Sequence, residues 1–296
     1  MTASPAGSAT APARPAVMEI RLPEGGAAQS LRAVKVVWHR EMIRFSQDRI
    51  RIVTAFVQPI LYVFVLGTGL SSLTRGATGD VSLRTFMFPG VLALSVLFTA
   101  MFSAVSIVWD REFGFLREML VAPVPRGAII LGKCLGGATV AAIQGLIVLA
   151  LAGLVDVPYS PVLLATLAVE MLLLGFTITA FGLVVAARVK QMQAMMGLMQ
   201  MILMPLMFLS GILYPLAGLP RWLNTLVHLN PITYAVHPLR QAVFEHVHAS
   251  KLALAHLNPP LTWWGWTVPT LVQLAVVAVT GLFFLWVAVL EFDRAD

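Results

Sequence analysis

Long apolar runs separated by short polar breaks recur from residue 52 almost to the end of this chain of 296 residues. A helix needs about 20 mostly apolar residues to cross a bilayer. The segments 52–70, 86–108, 134–155, 162–187, 195–216 and 267–290 qualify. No stretch sustains the strict alternation of a membrane barrel strand. The pattern predicts an all-α polytopic membrane protein with six transmembrane helices, filling residues 51–296.

Ahead of the first run, residues 30–50 repeat Leu31, Val34, Val37, Trp38, Met42 and Phe45 at helical spacing, with Arg32, Lys35, Arg40, Arg44 and Arg49 largely between them. This spacing predicts an amphipathic helix lying in the membrane interface. Residues 1–29 are rich in Ala, Pro, Ser, Gly and Thr and lack the apolar core of a signal peptide, so a disordered cytoplasmic tail is expected. The stretch 217–262 is too polar to span and too apolar for a free loop. It is expected to form short re-entrant helices at the outer face, covered by protein. Trp263, Trp264 and Trp266 mark the outer interface before the last span.

Composition agrees. Hydrophobic residues make up 58% of the chain, above the roughly 45–50% of a soluble domain. With the N-terminus inside, 15 of the 20 Lys and Arg fall on the inner side. Both termini are therefore expected in the cytoplasm. The net charge of +6 reflects these flanking cations, and nucleic acid is not an expected partner. The single cysteine, Cys134, excludes an internal disulfide and a multi-cysteine metal site.

Charged residues are only 11% of the chain, yet five fall between Asp110 and Glu118. Read as a helix over 110–123, this island groups Phe113, Leu116 and Leu120 on one face and leaves Arg111, Arg117 and Glu118 off it. A small apolar face with charged flanks suits a groove on a partner protein. The alternative, a helix resting on lipid, gains nothing from the island's acids. Pro123 and Pro125 stop the helix.

Gly127–Cys134 resembles a phosphate-binding loop, but Cys134 stands where Ser or Thr must hold magnesium, and no strand precedes it. It reads as the entry to the third span, so this chain is expected to bind no nucleotide and hydrolyse no ATP. His237, His246, His248 and His256 lie in the outer region beside Glu245 without metal-ligand spacing, and no metal site is expected. Glu170 is the one formal charge the pattern places deep in a span, a functional candidate or a hydrogen-bonded link between helices. Gln144, Gln200 and Gln273 are weaker cases of the same kind. Methionines from Met192 to Met207, Met196 and Met199 among them, suit a subunit seam or a path for varied lipophilic cargo. Glycines such as Gly136, Gly137, Gly145 and Gly197 permit close helix approach.

Two stretches resemble the membrane subunits of type-2 ABC exporters, which include drug, lipo-oligosaccharide and polysaccharide permeases. One is Trp109-Asp-Arg-Glu-Phe-Gly-Phe-Leu-Arg-Glu-Met-Leu-Val-Ala-Pro-Val-Pro-Arg126. The other runs from Leu209-Ser-Gly211 and Tyr214-Pro215 to Asn230-Pro-Ile-Thr-Tyr-Ala-Val-His-Pro-Leu-Arg240, with Pro231, Tyr234 and Arg240 as its signature. The resemblance implies a bacterial inner-membrane exporter built from two permeases, here as a homodimer, and two ATP-binding subunits that carry ATP and magnesium. It implies that Arg111, Glu112, Phe113, Phe115, Leu116, Arg117, Glu118 and Met119 form a coupling helix docking on that ATPase. Membrane lipids are the remaining partners. The expected cargo is a lipophilic drug, a glycolipid or a lipid-linked glycan, with Glu170, Gln144, Gln200, Met196 and Met199 along its path. A proton-coupled secondary transporter using Glu170 is the alternative, and a membrane enzyme or assembly factor a third. The lone buried carboxylate, the lack of an inverted repeat and the absence of a catalytic constellation count against these.

Overall fold

The computed structural model describes residues 26–69, 82–114, 124–247, 257–263 and 265–294. Apart from a two-residue hairpin pairing Thr262 with Thr267 and Trp263 with Trp266, their regular structure is helical. Helix α1 covers Ala27–Gln47, and α2 follows at Arg49–Ile60. A π-helical stretch Leu61–Leu66 and a short turn Gly67–Gly69 continue α2. Pro59 inside α2 supplies no amide hydrogen, and the wider π ladder begins directly after it.

Helices α3 (Leu83–Glu112), α4 (Arg126–Leu149) and α5 (Pro161–Arg188) form the core, and α9 (Thr270–Arg294) packs against α5. Helix α6 is Met192–Phe208, α7 Arg221–Leu229 and α8 Thr233–Phe244. In the most apolar stretch of α3, 78% of residues are buried, against 22% in α9. The second span is thus the central post and the last lies at the periphery.

Small residues let the helices approach. A Cβ at Gly132 would sit 2.8 Å from the Cβ of Val37, and one at Gly136 2.8 Å from the Cβ of Glu41. The two glycines are four apart, on one face of α4, and α1 lies against that face. On another face of α4, Gly137 meets Thr179 of α5.

Among the described residues, five helical segments are long and apolar enough to cross a bilayer: Ile52–Gly69, Leu83–Glu112, Arg126–Leu149, Pro161–Arg188 and Thr270–Arg294. The expected fifth span, 195–216, is instead the 17-residue helix Met192–Phe208, about 26 Å long at 1.5 Å per residue. It stops early because the chain turns at Gly211, whose φ is +71°. The third span begins at Arg126, well before the expected 134, because Lys133 is buried and paired and marks no boundary. The second runs on to Glu112 for the same reason at Asp110.

The island also differs from expectation. Asp110, Arg111 and Glu112 belong to the last turn of α3, and Phe113 caps it. Gly114 then takes φ +82°, a conformation that ends helices. Phe113 therefore ends α3, and no separate helix begins at 110. Phe115, Leu116, Arg117, Glu118 and Met119 lie outside the described residues, as does nearly all of the N-terminal tail.

Candidate functional site

Three consecutive residues at the end of α3 each hold a different part of the bundle. The carboxylate of Asp110 lies 2.6 Å from Lys133 Nζ of α4 and 2.6 Å from an Arg40 nitrogen of α1, with Arg44 at 3.8 Å. Lys133 also donates to Glu41 Oε1 at 3.1 Å and to Ser106 Oγ at 3.0 Å. Arg111 donates to the carbonyls of Ala186, Ala187 and Val189 at 3.0–3.2 Å and lies over the Phe292 ring. It thereby satisfies the last carbonyls of α5. The Glu112 carboxylate accepts from the Met192 amide at 3.1 Å, and an anion suits that first turn of α6. Nearby, Arg188 and Glu291 form a two-point pair, and Arg126 donates to the Phe292 carbonyl.

A cavity of about 490 Å³ lies against Arg40, Arg44, Trp109, Asp110 and Phe113 at this charged end, and two others share a wall at Phe102. One of these two, about 470 Å³, is bounded by Arg44, Asp48, Phe102, Trp109, Met192 and Met196. A smaller one, about 180 Å³, is bounded by Thr54, Gln58, Ser95, Thr99, Phe102 and Gln144. The Gln144 side-chain nitrogen is buried without a hydrogen-bond partner among the described residues.

At the far end, polar side chains repair a broken backbone. Asn230 donates to the Leu206 carbonyl and accepts from the Ile232 amide. Thr233 donates to the Val227 and Leu209 carbonyls, and Tyr234 to that of His228. Trp263 donates to the Tyr234 hydroxyl at 2.8 Å. Arg240, only 1% exposed, donates to the Gly211 carbonyl at 2.7 Å and stacks 4.6 Å over Phe86. Burial lowers its pKa to about 10, which leaves it a cation at neutral pH. Burial likewise pushes His237 down to about 4, and its Nε2 meets the Pro259 carbonyl at 3.1 Å.

The residues expected along a cargo path do not meet in one place. Met196 and Gln144 line the two cavities that meet at Phe102. Met199 is buried in the core with Met195, Leu203 and Met207, whereas Gln200, the next residue of α6, is exposed. Glu170 is buried in α5, with Oε2 unpartnered among the described residues. Lys133 and Asp110 are buried charges too, but near the ends of α4 and α3. The sequence reading missed the ion cluster. Arg40 and Arg44 were expected between the apolar positions of α1, yet both face Asp110. The available signal was Glu41, the one acid within the strongly basic helix α1.

The ABC-2 type transporter family matches residues 32–244. The chain belongs to this family. A putative transport permease, ycf38, of Cyanophora paradoxa is 26% identical over 73% of this chain and 75% of its own length. The inner membrane transport permease YadH of Escherichia coli K12 is 29% identical over 70% of this chain and 81% of its own. Nodulation protein J of Rhizobium leguminosarum bv. trifolii is 27% identical over 71% and 80%. This chain is thus a multi-pass ABC transporter permease, and its family implies an ATP-binding partner.

Proposed function

We propose that this permease exports an amphipathic cargo, a lipophilic drug, a glycolipid or a lipid-linked glycan, and is driven by a separate ATP-binding subunit seated on residues 111–119. The observation that carries this reading is the run Asp110-Arg111-Glu112. These residues fasten α1 and α4, the end of α5 and the start of α6 to the base of a single loop. A force applied to that loop reaches all four helices at their ends. Exposed Phe113, 66% accessible, leads from this base into the proposed docking segment, where Phe115, Leu116, Arg117, Glu118 and Met119 supply the rest.

The reading assigns the working complex two permeases and two ATPases in a bacterial inner membrane, with both permease termini cytoplasmic. The outward face of α6, with Met196 at 41% exposure, Met201 at 66% and Met204 at 44%, supports contact with a second identical copy. Cargo enters the cavity of about 470 Å³ past Arg44 and Trp109 and passes Phe102 toward Gln144.

The test is co-purification with a candidate ATPase. Phe113→Ala with Phe115→Ala removes proposed docking surface and leaves Asp110, Arg111 and Glu112 unchanged. Association and cargo-stimulated ATP hydrolysis are expected to fall together. Both surviving intact would overturn the docking assignment.

A further inference from the structure

An apolar groove of about 730 Å³ runs beneath α1, between it and the outer faces of α4 and α5. Leu31, Trp38, Leu135, Leu173 and Phe176 line it, with Lys35 at its edge. The groove is apart from both cavities assigned to cargo. Trp38 forms part of its wall and is fixed there by donating from Nε1 to Thr139 Oγ1 at 3.1 Å. Val169 and Leu172 carry the apolar surface onward along α5 and are 63% and 43% exposed.

Its rim is cationic. Arg32 and Lys35 are three apart, hence neighbours on α1, and both are exposed. The one acid of α1, Glu41, is turned away and paired with Lys133. The groove therefore presents a greasy trough with positive charge at one edge and no countercharge from its own helix. An acyl chain fits the trough and a phosphate fits the rim.

We propose that this groove is a binding site for an anionic phospholipid, its acyl chain along Trp38, Leu173 and Phe176 and its phosphate at Lys35 and Arg32. Bound there, the lipid bridges α1 to α4 and α5 and holds the amphipathic helix in place.

The test uses the full-length chain with Trp38 as its only tryptophan, the other six replaced by Phe, in phosphatidylcholine vesicles. Dibrominated phosphatidylglycerol is expected to quench Trp38 at about fivefold lower mole fraction than dibrominated phosphatidylcholine, the equivalent of about 1 kcal/mol for one cation near a lipid surface. Arg32→Gln with Lys35→Gln is expected to abolish the difference. Both positions are exposed, so the fold is expected to persist. Equal quenching by the two lipids overturns the proposal, as does a preference that survives loss of both cations. Quenching by neither lipid would mean that protein covers the groove, and also overturns it. Native mass spectrometry of the unaltered chain gives a second readout if the single-tryptophan protein does not fold. Retained phosphatidylglycerol should be lost in Arg32→Gln/Lys35→Gln, and retention equal to the unaltered chain counts against the site.

Discussion

The ammonium of Lys133 lies 2.6 Å from Asp110 Oδ2, with both side chains almost wholly removed from water. An ammonium has three hydrogens, and Asp110, Glu41 and Ser106 match all of them. Breaking a buried pair from one side costs about 3–5 kcal/mol where the other charge is left alone, and here partly exposed Arg40, 2.6 Å from Asp110, offsets some of that cost. Lys133→Met is therefore expected to lower the melting temperature in detergent. Adding Asp110→Asn and Glu41→Gln should restore part of the loss, because no carboxylate then lacks a cation. A single variant that melts like the parent would refute this account of the cluster.

At Gly136, as at Gly132, α1 leaves no room for a side chain on α4. A side chain there would collide with Glu41, and overpacking of this kind costs roughly 1–3 kcal/mol. Gly136→Leu is expected to lift α1 from α4. In a Val37→Cys, Cys134→Ser background, the thiol at 37 should be slow to react with maleimide and become reactive when Gly136→Leu is added. Unchanged reactivity would show that α1 is held from elsewhere.

Arg240 meets the carbonyls of Gly211 and Ile212 and the face of Phe86 in one placement. A lysine at 240 lacks the planar fork that serves these contacts together. Hydrogen bonds from charged groups contribute about 1.5–3 kcal/mol. Arg240→Lys should lose most of that, and Arg240→Gln at least as much, measured as melting temperature. A lysine variant as stable as the parent would mean that charge alone is needed.

His237 is buried neutral. Its pKa of about 4 lies below the 6.5 of an exposed imidazole. Between those values the unfolded chain takes up the proton that the folded chain refuses, so stability falls as pH drops through that window and is fully present above it. Compared with His237→Gln, the parent should lose more melting temperature between pH 6.5 and 4. Parallel curves would contradict the assignment of this histidine as neutral.

Five of the six expected spans were legible because each is a long apolar run, and hydrophobicity in a bilayer needs no tertiary partner to declare itself. The ends were not, for a physical reason visible at Lys133 and Asp110. Each charge alone signals water, and only their meeting across two helices and Glu41 of a third makes burial tolerable. The signature Asn230 to Arg240 was legible as a conspicuous pattern. Its work, satisfying carbonyls from 206 to 212 and from 227 to 228, depends on how the chain folds back over itself. Met199 and Gln200 show the same limit within α6. Neighbours in sequence, they meet different surroundings, one in the core and one exposed.

Glu170 remains the sharpest test of how cargo passes. Its side chain is 4% exposed and one carboxylate oxygen has no partner among the described residues, an arrangement costly enough in a helix interior to call for a use. Glu170→Gln keeps the shape and removes the ionisation. Where the carboxyl meets cargo, transport of at least one amphiphile by the assembled complex changes while the melting temperature holds. Where it carries a coupled proton instead, the parent transports under a pH gradient without ATP, and the Gln variant does not. The first outcome is expected for an ABC-2 permease. Transport and pH dependence both unchanged would reduce Glu170 to a structural link between helices.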